Sequence, residues 1–565
     1  MHEQSPAWWD HIYRELPAMG EAGSRSSVLH DAAEPPERSL PTARGIRPRH
    51  APWFRGVRLA GTAGALLLGF AGLGAGAMPV VDNPFPRLPG GGLLAPLLQA
   101  STVLALVGIA LMVAAWLCLA PLAGAPLRSK DRRADILAPG QIWRIFWAWS
   151  IPLVATAPLF TQDIYSYLAQ GSIVDRGLDP YEAGPVEILP ENDPLARSVP
   201  FIWAQSPSPY GPVALGVAGA ISSLTDDNIY LGILAHRVVS IAALGLAGWA
   251  LARLAGRCGL RPTTALWLGL INPLTILHLV GGIHNESLML GLMLAGFELG
   301  LVGLDRARAG SRGLGWALFL ASGALISCAG MVKVTALCAL GFTGTALARD
   351  LCRPAPEGRG TGPARSLAAA VGVQVLVLVA TIAAVTLITG IGLGWITGQG
   401  GAAAVTSWMS LSTAVGLLSS LLGMLLGLGD HSDATVATTQ LLGLAVGGAF
   451  MVRMLWATFR GRIHPLGGLG VAMFVLVVFF PVVHPWYLLW AILPLAAWAN
   501  RTFFHVAVAC YTALFSFLVL PRGLALPPLT VIAVYLTAAA AAALLLAALW
   551  LSFKRWVPRP VDSAA

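Results

Sequence analysis

The chain has 565 residues, of which only 11% are charged against 56% hydrophobic, and its mean hydropathy is +0.71. Soluble domains carry roughly 25% charged residues, so a water-soluble enzyme, a nucleic-acid-binding protein and a disordered scaffold are all excluded. The net charge of +9 must then be read by its position along a membrane-embedded chain, with no nucleic-acid partner implied.

Residues 1–55 are polar and rich in Pro, Ser, Glu and Arg, which predicts a mostly disordered cytoplasmic tail. They are too long and too mixed for a cleaved signal peptide, so the first apolar run reads as an uncleaved anchor. A helical membrane domain is expected over 56–552, with about 14 transmembrane helices near 56–80, 94–120, 142–160, 229–252, 263–281, 286–304, 314–329, 333–348, 367–390, 435–457, 466–483, 485–499, 503–520 and 527–552. Residues 553–565 form a second short cytoplasmic tail. All Lys and Arg except Arg87, Arg176, Arg197, Arg237, Lys333 and Arg522 fall in segments that an N-inside reading puts in the cytoplasm. That asymmetry supports a multi-pass plasma-membrane protein with both termini cytoplasmic. Two short apolar stretches, 211–224 and 411–428, are read as helices lying at or dipping into the outer surface. They belong to two large outer loops, 161–228 and 391–434. The six cysteines, Cys118, Cys258, Cys328, Cys338, Cys352 and Cys510, show no metal-like or disulfide spacing and read as small apolar residues.

The loop 161–228 opens with Thr161-Gln162-Asp163-Ile164-Tyr165-Ser166-Tyr167, continues through Gly177-Leu178-Asp179-Pro180-Tyr181, and closes with Ser208-Pro209-Tyr210-Gly211-Pro212. A carboxylate at the membrane edge, as Asp163 must be, is costly unless paired or used. The same level receives His284-Asn285-Glu286 after the break at Asn272-Pro273, then Lys333 between two spans, then His484-Pro485-Trp486-Tyr487. Each has a plain alternative: Asp163 as a helix-end charge in water, Trp486 and Tyr487 as interfacial aromatics, Glu286 as a partner for Arg237. Together they describe a polar reaction site at a lipid boundary. An amphiphilic donor would keep an isoprenoid tail in the bilayer and present a sugar phosphate there. Such a reaction needs one carboxylate base for the acceptor hydroxyl and cationic or hydrogen-bonding groups for the departing phosphate. Lys333, Arg176, Arg237 and the two histidines are candidates for the second task. Tyr165, Tyr181, Tyr210, Trp203 and Trp486 suit sugar or lipid contact. No metal or other cofactor is required, since a single phosphate departs. A transporter or flippase is the rival class, and transfer of arabinose or glucose the rival chemistry.

These segments, over about 55–552, resemble the polyprenol-phosphomannose-dependent alpha-1,6-mannopyranosyltransferases of actinobacteria. The resemblance implies an all-α polytopic membrane protein with the GT-C glycosyltransferase fold. It implies Asp163 as general base on the 6-hydroxyl of a terminal mannose, and inversion of a beta-linked mannosyl phosphate. The donor would be polyprenyl (decaprenyl) monophosphomannose, and the acceptor an alpha-mannan or phosphatidylinositol mannoside among the membrane lipids. The product would be the backbone of lipomannan and lipoarabinomannan, made on the periplasmic side. His484 is similar in placement to a late-chain histidine beside the donor phosphate. His284, Asn285, Glu286 and Tyr487 are implied to position donor or acceptor.

Overall fold

The computed structural model describes residues 29–30, 51–125, 127, 136–353, 361–398, 407 and 409–556. Most of the tail 1–55, expected to be disordered, and most of 553–565 therefore lie outside the described residues. Within them the protein is helical and contains no strand. The helices are α1 (Ala51–Ala75), α2 (Leu98–Leu119), α3 (Pro139–Ser150), α4 (Asp163–Asp175), α5 (Pro212–Thr225), α6 (Ile229–Arg257), α7 (Pro262–Leu268), α8 (Glu286–Arg308) and α9 (Arg312–Gly330). They continue with α10 (Cys338–Cys352), α11 (Pro363–Thr389), α12 (Leu411–Leu425), α13 (Ser432–Phe459), α14 (Pro465–Phe479), α15 (Leu489–Ala496), α16 (Thr502–Phe515) and α17 (Pro528–Phe553).

Local chemistry sets the starts. Proline, with its fixed φ and missing N–H, is the first residue of α3, α5, α7, α11, α14 and α17. Asn228 caps α6 by accepting the Leu231 N–H at 3.0 Å, and Ser410 does the same for α12 through Thr413 at 3.1 Å. Close helix pairs form where glycines meet. A Cβ on Gly64 of α1 would lie 2.6 Å from the Gly108 carbonyl of α2, and one on Gly303 of α8 would lie 2.7 Å from the Gly315 carbonyl of α9. Small residues are what allow such backbone approach inside a membrane. Farther in, Trp116 of α2 and Trp267 of α7 stack at 4.5 Å. Each donates its indole N–H to the other's carbonyl, at 2.9 and 2.8 Å, so neither polar group is stranded in hydrocarbon.

Each of the fourteen expected apolar runs carries helix. Among the described residues eight helices are long and apolar enough to cross a membrane: α1, α2 with its continuation to Ala123, α6, α8, α9, α11, α13 and α17. The other six runs are shorter or interrupted, at α3, α7, α10, α14, α15 and α16. Several of the interruptions sit at Pro158, Pro273, Pro481, Pro485 and Pro521, beside the cleft described below. Irregular backbone at membrane depth is tolerated where it lines a cavity, so the sequence run overstates the regular helix there. The two short stretches expected in the outer loops are indeed helices, α5 and α12. Arg257 pairs with Glu298, at 2.6 Å, and with Asp305, and Arg308 pairs with Asp350 at 2.5 Å. These contacts gather the basic ends of α6, α8 and α10 at one end of the bundle, opposite the starts of α4, α8 and α10.

Candidate active site

At that other end lies a cleft of about 1350 Å³. Its first wall is α4, whose Asp163, Ser166, Tyr167 and Gln170 all face it; the spacing i, i+3, i+4, i+7 is one face of a helix. The rest of loop 161–228 adds Trp203 and Tyr210. His284 and Glu286 come from the start of α8, Lys333 from the turn after α9, and His484, Trp486 and Tyr487 from the turn before α15. Leu444 of α13 and Phe480 close the lipid-facing side.

Asp163 begins α4, its backbone N–H donating to Thr161 Oγ1 at 3.1 Å. Trp203 Nε1–H donates to Asp163 Oδ1 at 3.1 Å, while Oδ2 lies 3.6 Å from His284 Nδ1, a close approach too long for a hydrogen bond. The carboxyl is still 25% exposed, and the cleft is where it is open. Burial raises its pKa above the usual carboxylate range, and the Glu286 charge adds to this; the Trp203 and Thr161 hydrogen bonds and Lys333 oppose it. A carboxylate so placed is a stronger base than a free one.

Backbone strain brackets this residue. Phe160 has φ +67° and Ile283 has φ +59°, the left-handed region in which a β-branched residue is an outlier. Between Asn272 and His284 the helix widens to a π-turn, Thr275–Gly281, a form that recurs at functional sites. His284, His484 and His278 all stack on the Trp486 indole, with ring centroids at 4.0, 4.6 and 4.8 Å. Burial pushes the His484 pKa down to about 4, with Lys333 adding to the fall, and His284 falls for the same first reason. Both are neutral imidazoles, so they offer single N–H donors and no positive charge.

The charge comes from Lys333. Its Nζ donates to Glu286 Oε1 at 2.6 Å and to Tyr487 Oη at 3.1 Å, and lies 4.2 Å from the Tyr487 ring centroid. Burial opposes its charge, but Glu286 and the neighbouring tyrosines outweigh that and hold the ammonium above its ordinary pKa. An ammonium has three protons; two are engaged, leaving one for an anion in the cleft. Among the described residues no three His, Cys, Asp or Glu side chains group as a metal site.

Comparison with known proteins gives this cleft its context. The family model "Alpha-(1->6)-mannopyranosyltransferase, N-terminal domain" matches residues 58–349, and "MptB C-terminal domain" matches 412–547. The chain belongs to the alpha-(1→6)-mannopyranosyltransferase family. It is 51% identical over 556 residues to alpha-(1→6)-mannopyranosyltransferase B of Corynebacterium glutamicum, covering 96% of this chain and 92% of that one. It is 39% identical over 473 residues to a probable alpha-(1→6)-mannopyranosyltransferase of Mycolicibacterium smegmatis, covering 81% and 82%. An alpha-(1→6)-mannopyranosyltransferase of Mycobacterium tuberculosis is also 39% identical, over 493 residues, covering 81% and 80%. No solved structure matches.

In this member of the family, several residues expected at the site stand outside the cleft. Arg237 of α6 is fully buried behind it. Its guanidinium donates to the carbonyls of Val154, Thr156, Ala157, Val280 and Gly281 at 2.6–3.4 Å. It therefore ties the chain leading to Asp163 to the chain leading to His284, and Glu286, expected as its partner, pairs with Lys333 instead. Arg176, at the end of α4, pairs with Asp193 at 2.7 Å and Asp227 at 3.1 Å, which fastens the outer loop to itself. Tyr165 donates to the Ala77 carbonyl at 2.6 Å, and Tyr181 to the Tyr210 carbonyl at 2.9 Å. Both tyrosines are scaffold. Asn285 faces a small neighbouring cavity. Ser166, Tyr167 and Gln170 were not expected at the site, although their spacing from Asp163 was available. The indole bond from Trp203 and the stacked His278 had no signal in the sequence, because loop folding and a π-turn create them.

Proposed function

We propose that the protein transfers mannose from a polyprenyl-phosphate mannose to the 6-hydroxyl of an alpha-mannan acceptor held at the membrane. Family membership supports the alpha-(1→6)-mannosyl transfer. The observation that carries the mechanistic reading is that one basic carboxylate and one ammonium with a free proton share a single lipid-bordered cleft. In this reading Asp163 removes the acceptor proton as the hydroxyl attacks the anomeric carbon, and the C–O bond to phosphate breaks on the opposite face, which inverts the centre. The departing phosphate receives the third Lys333 proton as a hydrogen bond, with His484 as a neutral donor beside it. Tyr210 offers a flat face to the sugars, while the faces of Trp486 are taken up by the stacked imidazoles. Arg237 acts by holding Asp163 and His284 in register. The acceptor would be a phosphatidylinositol-mannoside-anchored mannan, on the pathway of lipomannan and lipoarabinomannan. The chain would cross the membrane about fourteen times with both termini cytoplasmic, so that the cleft opens to the periplasm.

The test mixes purified protein in detergent with polyprenyl-phosphate mannose and a short alpha-mannoside, and reads the product linkage by NMR. An alpha-1,6 bond is expected from the wild type. Asp163→Asn, inserted and folded, should lose roughly 10²–10⁴-fold in turnover; near-normal transfer removes Asp163 from the role. For sidedness, Asp226→Cys in the exposed turn after α5 should react with an impermeant thiol reagent added outside intact cells, and reaction only from the cytoplasm would invert the topology.

A further inference from the structure

Three side chains on the cleft face of α4, Ser166, Tyr167 and Gln170, carry polar groups that the mechanism above does not use. Each is only 3–4% exposed. Ser166 Oγ is buried and has no hydrogen-bond partner among the described residues. Tyr167 Oη accepts from Tyr210 Oη over a long 3.4 Å and keeps its own proton. Gln170 is held on one side alone. Ser208 Oγ takes the Tyr210 N–H at 3.3 Å, so its own proton goes to Gln170 Oε1 at 3.1 Å. That pins the amide oxygen and leaves both Nε2 protons with no acceptor among the described residues.

Buried polar groups are nearly always paired, and leaving one bare is costly. Three in a row beside a basic carboxylate point to a ligand rich in hydroxyls. The small cavity behind Gln170, which Asn285 also borders, is too narrow for a sugar ring, so only the cleft can present one to this amide. From Asp163 to Gln170 the helix rises about 10 Å at 1.5 Å per residue, more than a single pyranose ring covers. The cleft, at about 1350 Å³, is likewise larger than the roughly 300–1,000 Å³ of a pocket for one small ligand. Lys333, which faces the donor phosphate, stands on a different element, so the α4 face is left to the acceptor.

We propose that this face of α4 reads two sugar units of the acceptor, and that Gln170 is the residue that selects a mannoside chain over a lone mannose. This rests on the mannosyl-transfer reading given above. The terminal unit sets its 6-hydroxyl at Asp163 and a ring hydroxyl at Ser166, one turn along the helix. The unit before it accepts a hydrogen bond from Gln170 Nε2, two turns along, with the Tyr167 hydroxyl between them. Gln170 stays away from the reacting atoms and acts by holding the chain in register with the base. The protein therefore extends an existing mannoside better than it starts on a single sugar. One hydrogen bond from a neutral amide accounts for about a tenfold difference.

The experiment gives polyprenyl-phosphate mannose and one of two acceptors, methyl alpha-mannoside or its alpha-1,6-linked dimannoside, to wild type, Gln170→Met and Ser166→Ala. The wild type is expected to favour the disaccharide by about tenfold in kcat/KM. Gln170→Met, which keeps the length of the side chain and loses the N–H groups, should use the two acceptors nearly alike. Ser166→Ala should slow both by the same factor, because the terminal ring is common to them; a changed preference there would overturn the order of the two units. An unchanged preference in Gln170→Met would overturn the proposal, and so would no preference in wild type. Equal losses on both acceptors in Gln170→Met would also overturn it, marking Gln170 as a support for the Ser208–Tyr210 turn. A wild type that transfers to neither acceptor would instead overturn the mannosyl-transfer reading itself. As a measurement independent of any variant, wild type is given disaccharides with each inner-ring hydroxyl removed in turn. One of these should be used about as poorly as the single mannoside, and full use of all of them would overturn the second unit's contact.

Discussion

Arg237, fully buried, and Lys333, partly exposed, both flank the cleft as cations, and they do opposite work. Arg237 has surrendered its guanidinium to five backbone carbonyls; Lys333 keeps a proton free and sits with its side chain 21% exposed to the cleft. The fork of an arginine can satisfy several carbonyls at once where the helix is broken. A lysine is a point charge on a flexible stem, and one anion can draw it. A buried positive charge near a reaction site is thus no sign of ligand binding until its partners are counted.

The largest effect should come from Arg237→Leu. It strands the carbonyls of Val154, Thr156, Ala157 and Val280 at about 1–3 kcal/mol for each acceptor left bare, while that of Gly281 keeps the Leu159 N–H. Little folded protein should therefore be recovered after mild heating in detergent, as read by size-exclusion chromatography. Recovery equal to wild type would break the contrast. Lys333→Ala should leave that elution profile intact and lower kcat/KM by about 10²-fold, with donor KM rising more than acceptor KM; an effect on the acceptor alone would contradict a phosphate contact. The smallest effect concerns acid–base tuning. The base must be ionised, so kcat/KM should rise with pH through a pKa above the ordinary aspartate value of about 3.9 and then level off. Because the Trp203 hydrogen bond lowers that pKa, Trp203→Phe should shift the rising limb to higher pH. A shift downward would show that the indole does not stabilise the carboxylate. His484, its pKa pushed down to about 4 by burial, is neutral on the plateau above that pH and adds no descending limb.

Most of the architecture was readable in the residues because hydrophobic run length and basic clustering are strong signals in membrane chains. The gathering of Asp163, His284, Glu286, Lys333, His484, Trp486 and Tyr487 in one cleft follows from the same bookkeeping, since span ends at a common level must meet. What it could not supply was pairing across the break. Whether Glu286 turns to Arg237 or to Lys333 depends on where the carbonyls freed around Pro158 and the π-turn point, and that is set in three dimensions. Arg176 misled for a related reason: it lies at the right depth, but Asp193 and Asp227 fold back onto it. Helix lengths were overstated wherever an apolar run passed through irregular backbone beside the cleft.

Ile283 sits in a backbone conformation that glycine would adopt without penalty, directly before the imidazole that faces Asp163. Ile283→Gly relaxes that bend but also slackens the hinge on which His284 is aimed. Ile283 is also buried in the core beside α4, and the packing lost with its side chain outweighs the strain relieved, so a less heat-tolerant and slower enzyme is the outcome to look for. The family's chemistry at this corner would then be governed by tension in the main chain as much as by the side chains that touch sugar.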